Sequence, residues 1–313
     1  MMWLTWRQHR LEALGALLVV IPIVAIIGGV LIAAQPLVEQ AQLACRSQDS
    51  TCGGAIQAYF DRFGTLHFLL TAALLGLPAL PGLFIGAPLL AREFEQGTDQ
   101  LVWSQGTTRW HWLVIKLGLL VAMTCALAAS LAVAGQMFFE GEAAVNPSPW
   151  TDFDYMGPAL FSYAFFSLAL GVAAGAAIGK TVPAMALALV GFVGIRMSIA
   201  YFARPNFLPP LQWDFSGIFF GPPPGDIWTI GDQRHLNLQG HPISDATYTT
   251  AVDACSQVQT NFSACLHDHG VAVLQAYQPG DRFWLFQSIE TAIFTFTGIA
   301  LLTLTAWLVA RRS

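Results

Sequence analysis

The sequence predicts an all-α polytopic membrane protein with six transmembrane helices, an N-terminal interfacial helix and a disulfide-bearing extracellular domain between helices 5 and 6. The first observation is composition: 55% of the 313 residues are hydrophobic and only 11% are charged, whereas soluble domains carry about 25% charged residues. The second is spacing, because apolar stretches of the roughly 20 residues that a spanning helix needs recur along the chain. The third is the position of the charges, which lie mostly between those stretches.

Six apolar stretches are long enough to span a bilayer. The first is too long for the apolar core of a signal peptide, and Gln35-Pro36 follows it in place of a small-residue cleavage site, so we expect a transmembrane helix. The second contains Pro78, Pro81 and Pro88, and proline interrupts helical hydrogen bonding, so this helix is predicted to be kinked. The stretches cover residues 14–34, 66–90, 113–138, 158–178, 182–202 and 283–310.

Ahead of the first stretch, the N-terminal residues have the pattern of a helix that lies in the inner membrane interface. Trp3, Leu4 and Trp6 suit the level of the lipid headgroups, where aromatic and apolar side chains collect. Arg7 and Arg10 suit contact with lipid phosphate groups. The pattern therefore predicts an N-terminal interfacial helix, the alternative being a simple flank to the first transmembrane helix.

The distribution of basic residues predicts the orientation in the membrane. Six spans place both termini on one side, and the positive-inside rule assigns the more basic side to the cytoplasm. With both termini in the cytoplasm, basic residues outnumber acidic ones inside, whereas the outside is strongly acidic. Abundant alanine and leucine with little lysine favour a bacterial source, so we expect a bacterial plasma membrane protein. The inner basic residues are Arg7, Arg10, Arg92, Arg109, Lys116, Lys180, Arg311 and Arg312.

We divide the chain into three parts. Residues 1–202 form a membrane domain of helices 1–5, with the interfacial helix and a cytoplasmic coupling loop at 91–112. Residues 203–282 form the extracellular domain, which is rich in proline, glycine and aspartate and has helical patterning over 244–277. Residues 283–313 form transmembrane helix 6 and a short cytoplasmic tail.

Four cysteines occur as two close pairs in the predicted extracellular loops. Because that side of the membrane is oxidising, we predict two local disulfides, free thiols being the alternative. Histidines that follow the second pair could contribute to a zinc site, but a disulfide would remove the thiolate ligands. We therefore expect no metal site. The predicted disulfides are Cys45–Cys52 and Cys255–Cys265.

Residues 171–181, GVAAGAAIGKT, end like a phosphate-binding loop but do not complete that motif. The motif needs G-x-x-x-x-G-K-[ST] between a strand and a helix, and here Ala174 occupies the first glycine position within an apolar stretch. Gly171, Gly175 and Gly179 instead form a ridge of small residues that permits close helix packing. No catalytic constellation or basic nucleic-acid-binding patch stands out, so we expect neither an enzyme nor a bound cofactor.

The main cytoplasmic segment reads LLAREFEQGTDQLVWSQGTTRWHWLVIKL over residues 89–117. The segment begins with charged residues, Gly97 permits a turn, and Thr98 or Asp99 can cap a following helix. Apolar residues on an otherwise polar cytosolic segment often mark a docking surface, the alternative being a solvated loop between two spans. The apolar residues are Leu101, Val102 and Trp103.

This segment resembles the loop after the second span of ABC-2 type transporter permeases. In that family an E-x-G-T stretch precedes a helix, a small polar turn, an arginine and a lysine. TWRQHR at residues 5–10 is similar to the start of actinobacterial members. The large extracellular domain lies outside the family pattern, which leaves the substrate open. The matching residues in the segment are Glu95, Gly97, Thr98, the turn at 104–108, Arg109 and Lys116.

The resemblance implies the transmembrane permease subunit of an ATP-driven exporter. Its partners would be two ABC ATP-binding subunits, which bind ATP and Mg²⁺, a second permease copy that is identical or a close paralogue, and membrane lipid, with no nucleic acid. It also implies that the cytoplasmic segment docks in clefts of the ATPases, with apolar residues filling the cleft and charged residues forming ion pairs at its rim. The docking set is Arg92, Glu93, Glu95, Gly97, Thr98, Leu101, Val102, Trp103 and Arg109.

The alternative function belongs to a different class. The chain would be a non-transporting membrane sensor or binding module that acts through its extracellular domain. Stimulation of an associated ATPase would favour transport, whereas ligand binding by the extracellular domain without ATPase coupling would favour the sensor. The sequence leaves open the substrate, the direction of transport and the identity of the second permease copy.

Charged residues inside the predicted transmembrane helices form a second candidate site. Arg196 and Glu290 each lie about seven residues, hence about 10 Å, below the predicted outer end of their helix. A charge in the middle of such a helix costs about 2.5–3.5 kcal/mol, so we predict an ion pair between them, with Gln287 one turn from Glu290. Two interpretations stay open: a structural tie between two helices, or a polar cluster that lines an outward cavity and contacts substrate.

Overall fold

The computed structural model describes residues 2–46, 51–97, 109–143, 145, 148–214, 226–256 and 262–311. The chain forms two compact units. The membrane unit contains Met1–Pro147, Thr151–Ile199 and Gln287–Ser313, and the small unit contains Ser148–Trp150 and Ala200–Phe286. Within the described residues, six helical segments are long and apolar enough to cross a membrane, as predicted. They are Ile21–Arg46, Cys52–Gln96, Leu117–Glu142, Gly157–Ile178, Thr181–Asn206 and Gly280–Arg311.

The N-terminal residues are helical and continuous with the first span, because α1 runs from Met2 to Arg46 without a break. The position of their side chains in the membrane interface stays a prediction, since the side chains of residues 2–13 lie outside the described part of the chain. The helices are α1 (Met2–Arg46), α2 (Cys52–Gly76), α3 (Ala87–Gln96), α4 (Arg109–Glu142), α5 (Gly157–Ile178), α6 (Thr181–Ser198), α7 (Asp245–Cys255), α8 (Phe262–Asp268) and α9 (Phe283–Arg311).

The second span is interrupted between α2 and α3. A 3₁₀ turn, Leu77–Ala79, and a π-helical segment, Pro81–Gly86, separate the two helices. The turn, the π-helical segment and α3 each have proline in one of their first two positions, where the missing N–H group disturbs a helix least. This confirms the predicted kink. The interruption also leaves carbonyl groups available to other helices, since Ser167 Oγ donates to the Ala79 carbonyl at 2.9 Å.

α5 is the central helix of the membrane unit. In an 18-residue apolar stretch of this span, 72% of the residues are buried, compared with 17% to 33% in the corresponding stretches of the other spans. Gly171 lies on the backbone of Gly82, and Gly175 lies on the backbone of Ala87. A Cβ atom at either α5 glycine would overlap the facing carbonyl oxygen, so the helices approach this closely because both positions lack a side chain. The ridge predicted at these two positions is confirmed, whereas Gly179 ends α5 with a φ of 68°.

α3 is packed on both sides. Phe94 contacts a buried cluster that includes Leu90, Leu120 and Leu168. A second cluster joins α3 to α5 and α6 through alanines, whose single methyl groups let the three helix backbones lie close together. α3 is therefore held tightly against α5 and α6, and a displacement of one of these helices will disturb the others. The alanines are Ala87, Ala91, Ala174, Ala184 and Ala188.

The small unit contains an antiparallel three-stranded sheet in the order β1-β3-β2. The central strand β3 pairs with β1 at Trp213↔Gln275 and with β2 at Leu236↔Ala272. Every residue of β3 is at least half buried, as expected for a central strand. The strands are β1 (Leu211–Asp214), β2 (Ile227–Asn237) and β3 (Val271–Pro279).

This sheet corrects the predicted all-α fold class: the chain is mostly helical and includes a β-sheet. The disulfide between α7 and α8 brings both helices onto β3, where Ala251 and Leu266 pack against Val271 and Val273. The sequence predicts helical patterning through residue 277, but residues from 271 onward form a strand. Short apolar runs with β-branched residues fit either structure by periodicity alone, and pairing with β1 and β2 decides the outcome.

Candidate functional site

The predicted docking segment is described only at its two ends. Arg92 is exposed and Glu93 is partly buried, both on α3. Gly97 follows α3 in the left-handed region, with a φ of 65°, and donates to the Glu93 carbonyl, which confirms the predicted turn. Arg109 is the first residue of α4, and its side chain is outside the described part. Thr98, Leu101, Val102 and Trp103 also lie outside the described residues, so the docking surface itself stays a prediction.

Glu95 has a partner within the chain. Its Oε2 accepts hydrogen bonds from the Thr181 backbone N–H at 3.2 Å and from the Thr181 hydroxyl at 2.8 Å. Thr181 is the first residue of α6, so the carboxylate caps one free N–H group at a helix N-terminus and faces the positive end of that helix. The resemblance assigns Glu95 to the rim of an ATPase cleft, whereas the structure uses it to tie α3 to α6.

Arg196 is 5% exposed and lies among groups that accept its hydrogen bonds or face its positive charge. One guanidinium nitrogen is 3.6 Å from Asp154 Oδ1, and the other donates to the Leu75 carbonyl at 2.6 Å. The guanidinium also lies 4.5 Å from the centre of the Tyr163 ring, a cation–π contact. The Leu75 carbonyl is available because the helix is interrupted just after it. The carboxylate that faces Arg196 is thus that of Asp154, not the predicted Glu290.

Glu290 and Arg196 are connected through Tyr163. The Tyr163 hydroxyl donates to Glu290 Oε1 at 2.6 Å, while its ring lies against the guanidinium. Gln287, one turn earlier on α9, donates to the Phe153 carbonyl at 2.7 Å and accepts from the Ala159 N–H at 3.0 Å. The structure therefore brings together all the predicted residues, but through Tyr163 and backbone groups and not through a direct ion pair.

The burial of this cluster favours a structural role. Glu290 and Gln287 are both 0% exposed, and the tyrosine between the charged groups is fully buried as well. The contacts join α5, α6, α9 and the segment before α5. Sequence reasoning could not find Tyr163, because one tyrosine in an apolar helix carries no local signal. It could not find Asp154 either, because residues 139–157, between the third and fourth apolar stretches, have the composition of a polar linker.

A second buried polar group was not predicted. Glu142, at the end of α4, receives a hydrogen bond from the Tyr59 hydroxyl, and its other oxygen is 2.8 Å from His67 Nδ1. Nearby, the Tyr155 hydroxyl donates to Asp152 Oδ1. Burial raises the pKa of Tyr155 above its ordinary value, and the Asp152 carboxylate adds to the rise. The sequence signal is weak, because Glu142 belongs to a predicted polar linker.

Both predicted disulfides are present in the structure. The Cα atoms of Cys45 and Cys52 are 4.6 Å apart, and those of Cys255 and Cys265 are 5.8 Å apart. His269 Nδ1 lies 3.7 Å from each sulfur of the second pair and 2.9 Å from the Cys265 carbonyl oxygen. Disulfide-bonded sulfurs are not thiolates, so these three donors can hold a metal only when the disulfide is reduced.

The small unit has a cavity of about 570 Å³ beside β2. Its polar lining includes Arg234, His235 and Asp245. His235 Nδ1 is 3.8 Å from Asp245 Oδ1, and the imidazole stacks on the Tyr248 ring. Small-molecule sites are typically about 300–1,000 Å³ and combine an apolar lining with a few polar groups. The size and lining of this cavity therefore suit a small ligand.

Comparison with known proteins gives one family. Residues 13–204 match the model of a family described as ABC-2 membrane transporter related. The match takes in the first five predicted spans and the cytoplasmic segment, and it ends before the sheet of the small unit. No curated protein and no solved structure matches the chain. Together with the six membrane-length helices, the match shows that this multi-pass membrane protein belongs to the ABC-2 membrane transporter related family.

Proposed function

We propose that this chain is the permease subunit of an ATP-driven ABC-2 type exporter in the bacterial plasma membrane. The family match over residues 13–204 carries this proposal, and membership in the family implies a partner ATP-binding subunit. Two such subunits bind ATP and Mg²⁺ and hydrolyse the nucleotide, while this chain forms the path through the membrane and is not itself an enzyme.

The disulfide at the junction of α1 and α2 supports the proposed orientation. Cys45 and Cys52 join these helices at one membrane face, and disulfides persist on the oxidising side of a bacterial membrane. The second span runs from that junction to Gln96, so on this proposal Gly97 follows at the opposite, cytoplasmic side. This arrangement agrees with the positive-inside rule and supports a cytoplasmic position for both termini and the ATPases.

Movement of the docking segment reaches the membrane through α3. The ATPases close on ATP and push the segment that follows Gly97. α3 passes this displacement to α6 through the Glu95–Thr181 hydrogen bonds and the alanine cluster. It passes the displacement to α5 through the contact of Gly175 with the backbone of Ala87. Close packing makes these contacts stiff, so the helices shift together and open the path outward.

A second permease copy, identical or closely related, completes the transporter. Large apolar side chains on α1 and α6 are exposed in the single chain, among them Leu18 at 73%, Ile32 at 76% and Val182 at 75%. Exposed apolar surface of this extent suits lipid contact and helix packing between permeases. The substrate passes between the two copies.

The test is affinity purification of the tagged full chain from native membranes, followed by an ATPase assay on the eluate. We expect an ATP-binding subunit in fixed ratio to the permease. Joint replacement of Leu101, Val102 and Trp103 by alanine removes that subunit, because the cleft loses its apolar contacts. The matched control replaces three exposed apolar residues of α9 by alanine and retains the ATPase; these are Phe296, Ile299 and Leu304. Purification of the permease without an ATP-binding subunit and without ATPase activity refutes the proposal.

The cavity in the small unit favours one alternative function, a non-transporting sensor that binds a ligand outside the cell. Its polar groups of both signs and its volume of about 570 Å³ suit a small polar molecule. On that alternative, ligand screening by thermal shift of the full chain finds a stabilising compound, and Arg234→Ala abolishes the shift while no ATPase copurifies. A ligand that instead stimulates a copurified ATPase supports transport.

A further inference from the structure

The buried group around Glu142 is not used by the proposed transport mechanism. Glu142 is 2% exposed at the end of α4. Its two carboxyl oxygens have different partners on α2: Oε1 accepts from the Tyr59 hydroxyl, and Oε2 lies 2.8 Å from His67 Nδ1. The three side chains form a connected chain of proton-carrying groups, from a phenol through a carboxyl group to an imidazole.

Aromatic and small apolar side chains fill the space around these groups. The His67 ring lies 5.3 Å from the Phe138 ring and 5.7 Å from the Phe60 ring, centre to centre. From α1, Ala34 and Ala41 pack in the same cluster as Tyr59. Tyr59 and Phe138 are almost completely buried. This packing leaves a proton as the ligand that the site can take up without a rearrangement.

The charges of the neighbouring elements favour a bound proton. The segment before α5 contributes a second buried acid, Asp152, which accepts from Tyr155 and adds negative potential at Glu142. A buried carboxylate is costly unless a positive charge or a proton compensates it. Among the described residues in contact with Glu142, His67 is the group that can carry a compensating proton. Among the described side chains, the other charged residues of the packed helices are exposed: Glu39 and Arg46 on α1, Asp61 and Arg62 on α2, and Glu140 on α4.

We propose that His67 and Glu142, assisted by Tyr59, form a proton-binding site in the membrane unit that holds one proton between the imidazole and the carboxyl group near neutral pH. The proton keeps the pair free of net negative charge and supports the packing of α2 on α4. Release of the proton leaves a buried anion and weakens that packing. Tyr59 lies two turns after Cys52, so the site exchanges protons with the aqueous phase on the disulfide side of the membrane.

The sign of the pH dependence follows from proton binding in the folded state. The folded site holds a proton that the unfolded chain releases at lower pH, so stability is complete in mild acid and falls as the pH rises through the titration of the site. Glu142→Gln carries a neutral side chain of similar shape at every pH, and it removes this fall. Glu140→Gln is the matched control, because Glu140 is exposed on the same helix and bonds to Gln136.

The experiment measures the thermal unfolding midpoint of the purified full chain in lipid nanodiscs from mildly acidic to mildly alkaline pH. We expect the midpoints of the wild type and Glu140→Gln to fall on the alkaline side, and that of Glu142→Gln to stay nearly constant. An equally steep fall in Glu142→Gln and Glu140→Gln overturns the proposal.

A second variant decides the matter if Glu142→Gln does not fold. Tyr59→Phe keeps both titrating groups but removes the hydroxyl that donates to the Glu142 carboxylate, which stabilises the anion. Without that donor the site binds its proton more tightly, so the alkaline fall moves to higher pH. An unchanged position of the fall in Tyr59→Phe contradicts the proposal, because the phenol would then have no influence on the proton.

Discussion

Tyr163→Phe removes the hydrogen bond from Tyr163 to Glu290, together with the longer contact of the same hydroxyl with Asp154 Oδ1 at 3.2 Å. The substitution removes one hydroxyl group and keeps the ring, so the cation–π contact with Arg196 and the edge contact with the Phe294 ring at 4.9 Å are retained. The structural interpretation of the polar cluster predicts that this single atom stabilises the membrane unit. The interpretation as a substrate-binding cavity predicts little change in stability and a loss of transport.

The structure sets the size of the expected effect. The donor and acceptor oxygens are 2.6 Å apart, which is in the range of charge-assisted O–H···O⁻ bonds. Such bonds contribute about 1.5–3 kcal/mol in proteins. Hydrogen bonds between membrane helices average only about 0.6 kcal/mol, because polar groups in the unfolded membrane state also find partners. Since Glu290 is 0% exposed, we expect a loss of about 1–2 kcal/mol, between these two ranges.

The assay is a double-mutant cycle on reversible unfolding of the purified chain in mixed micelles. Tyr163→Phe, Glu290→Gln and the double variant are compared, and Tyr201→Phe is the control because that tyrosine is 72% exposed. The coupling energy should exceed about 0.5 kcal/mol, the usual limit of additivity for independent sites. The reasoning fails if Tyr163→Phe costs no more than Tyr201→Phe, or if its cost is the same with and without the Glu290 carboxylate.

Three further outcomes are expected. Gly171→Ala lowers the unfolding midpoint of the membrane unit, because the new methyl group clashes with backbone at a cost of about 1–3 kcal/mol. The control Gly76→Ala has nothing within 4 Å of the new Cβ and leaves the midpoint unchanged or higher. Equal midpoints for the two variants would contradict the close contact between Gly171 and the Gly82 backbone. Thr181→Val lowers the ATPase rate of the purified complex without lowering the amount of copurified ATPase, and a normal rate would exclude α6 from coupling. Joint replacement of Cys255 and Cys265 by alanine opens a loop with a sequence separation of 10 and destabilises the small unit by about 2–3 kcal/mol, measured as faster proteolysis of the folded chain.

Features set by local sequence could be predicted, and features set by distant pairing could not. The apolar composition predicted the spans, and three prolines predicted the interrupted helix. The close spacing of the cysteines within each pair predicted both disulfides. By contrast, Asp154 lies 42 residues from Arg196, and the position of its side chain depends on how the segment before α5 folds back. Glu95 and Thr181 are 86 residues apart, and the docking resemblance gives no information on that contact.

The strands of the small unit were missed for the same reason. Val271 to Pro279 is a short, buried run that becomes a strand because β1 and β2 supply hydrogen-bonding partners on both edges. Without knowledge of those partners, its apolar pattern fits a helix as well as a strand. The burial of Glu142 was missed because its polarity predicts a linker, and His67 and Tyr59 lie on another helix. Buried polar contacts between helices need the tertiary packing before they can be identified.

α5 connects the two ends of the membrane unit. Its first half carries Tyr163, which contacts Arg196 and Glu290, and its second half carries Gly171 and Gly175. The helix rises about 18 Å between positions 163 and 175 at 1.5 Å per residue. Because its side chains are close-packed, the helix transmits a push along its length instead of absorbing it. A displacement of α3 must therefore either move α5 as a body, and with it the Tyr163 cluster, or separate the glycine contacts. The contact of these two glycines with the α3 side thus determines whether a movement of α3 reaches the other end of the membrane unit.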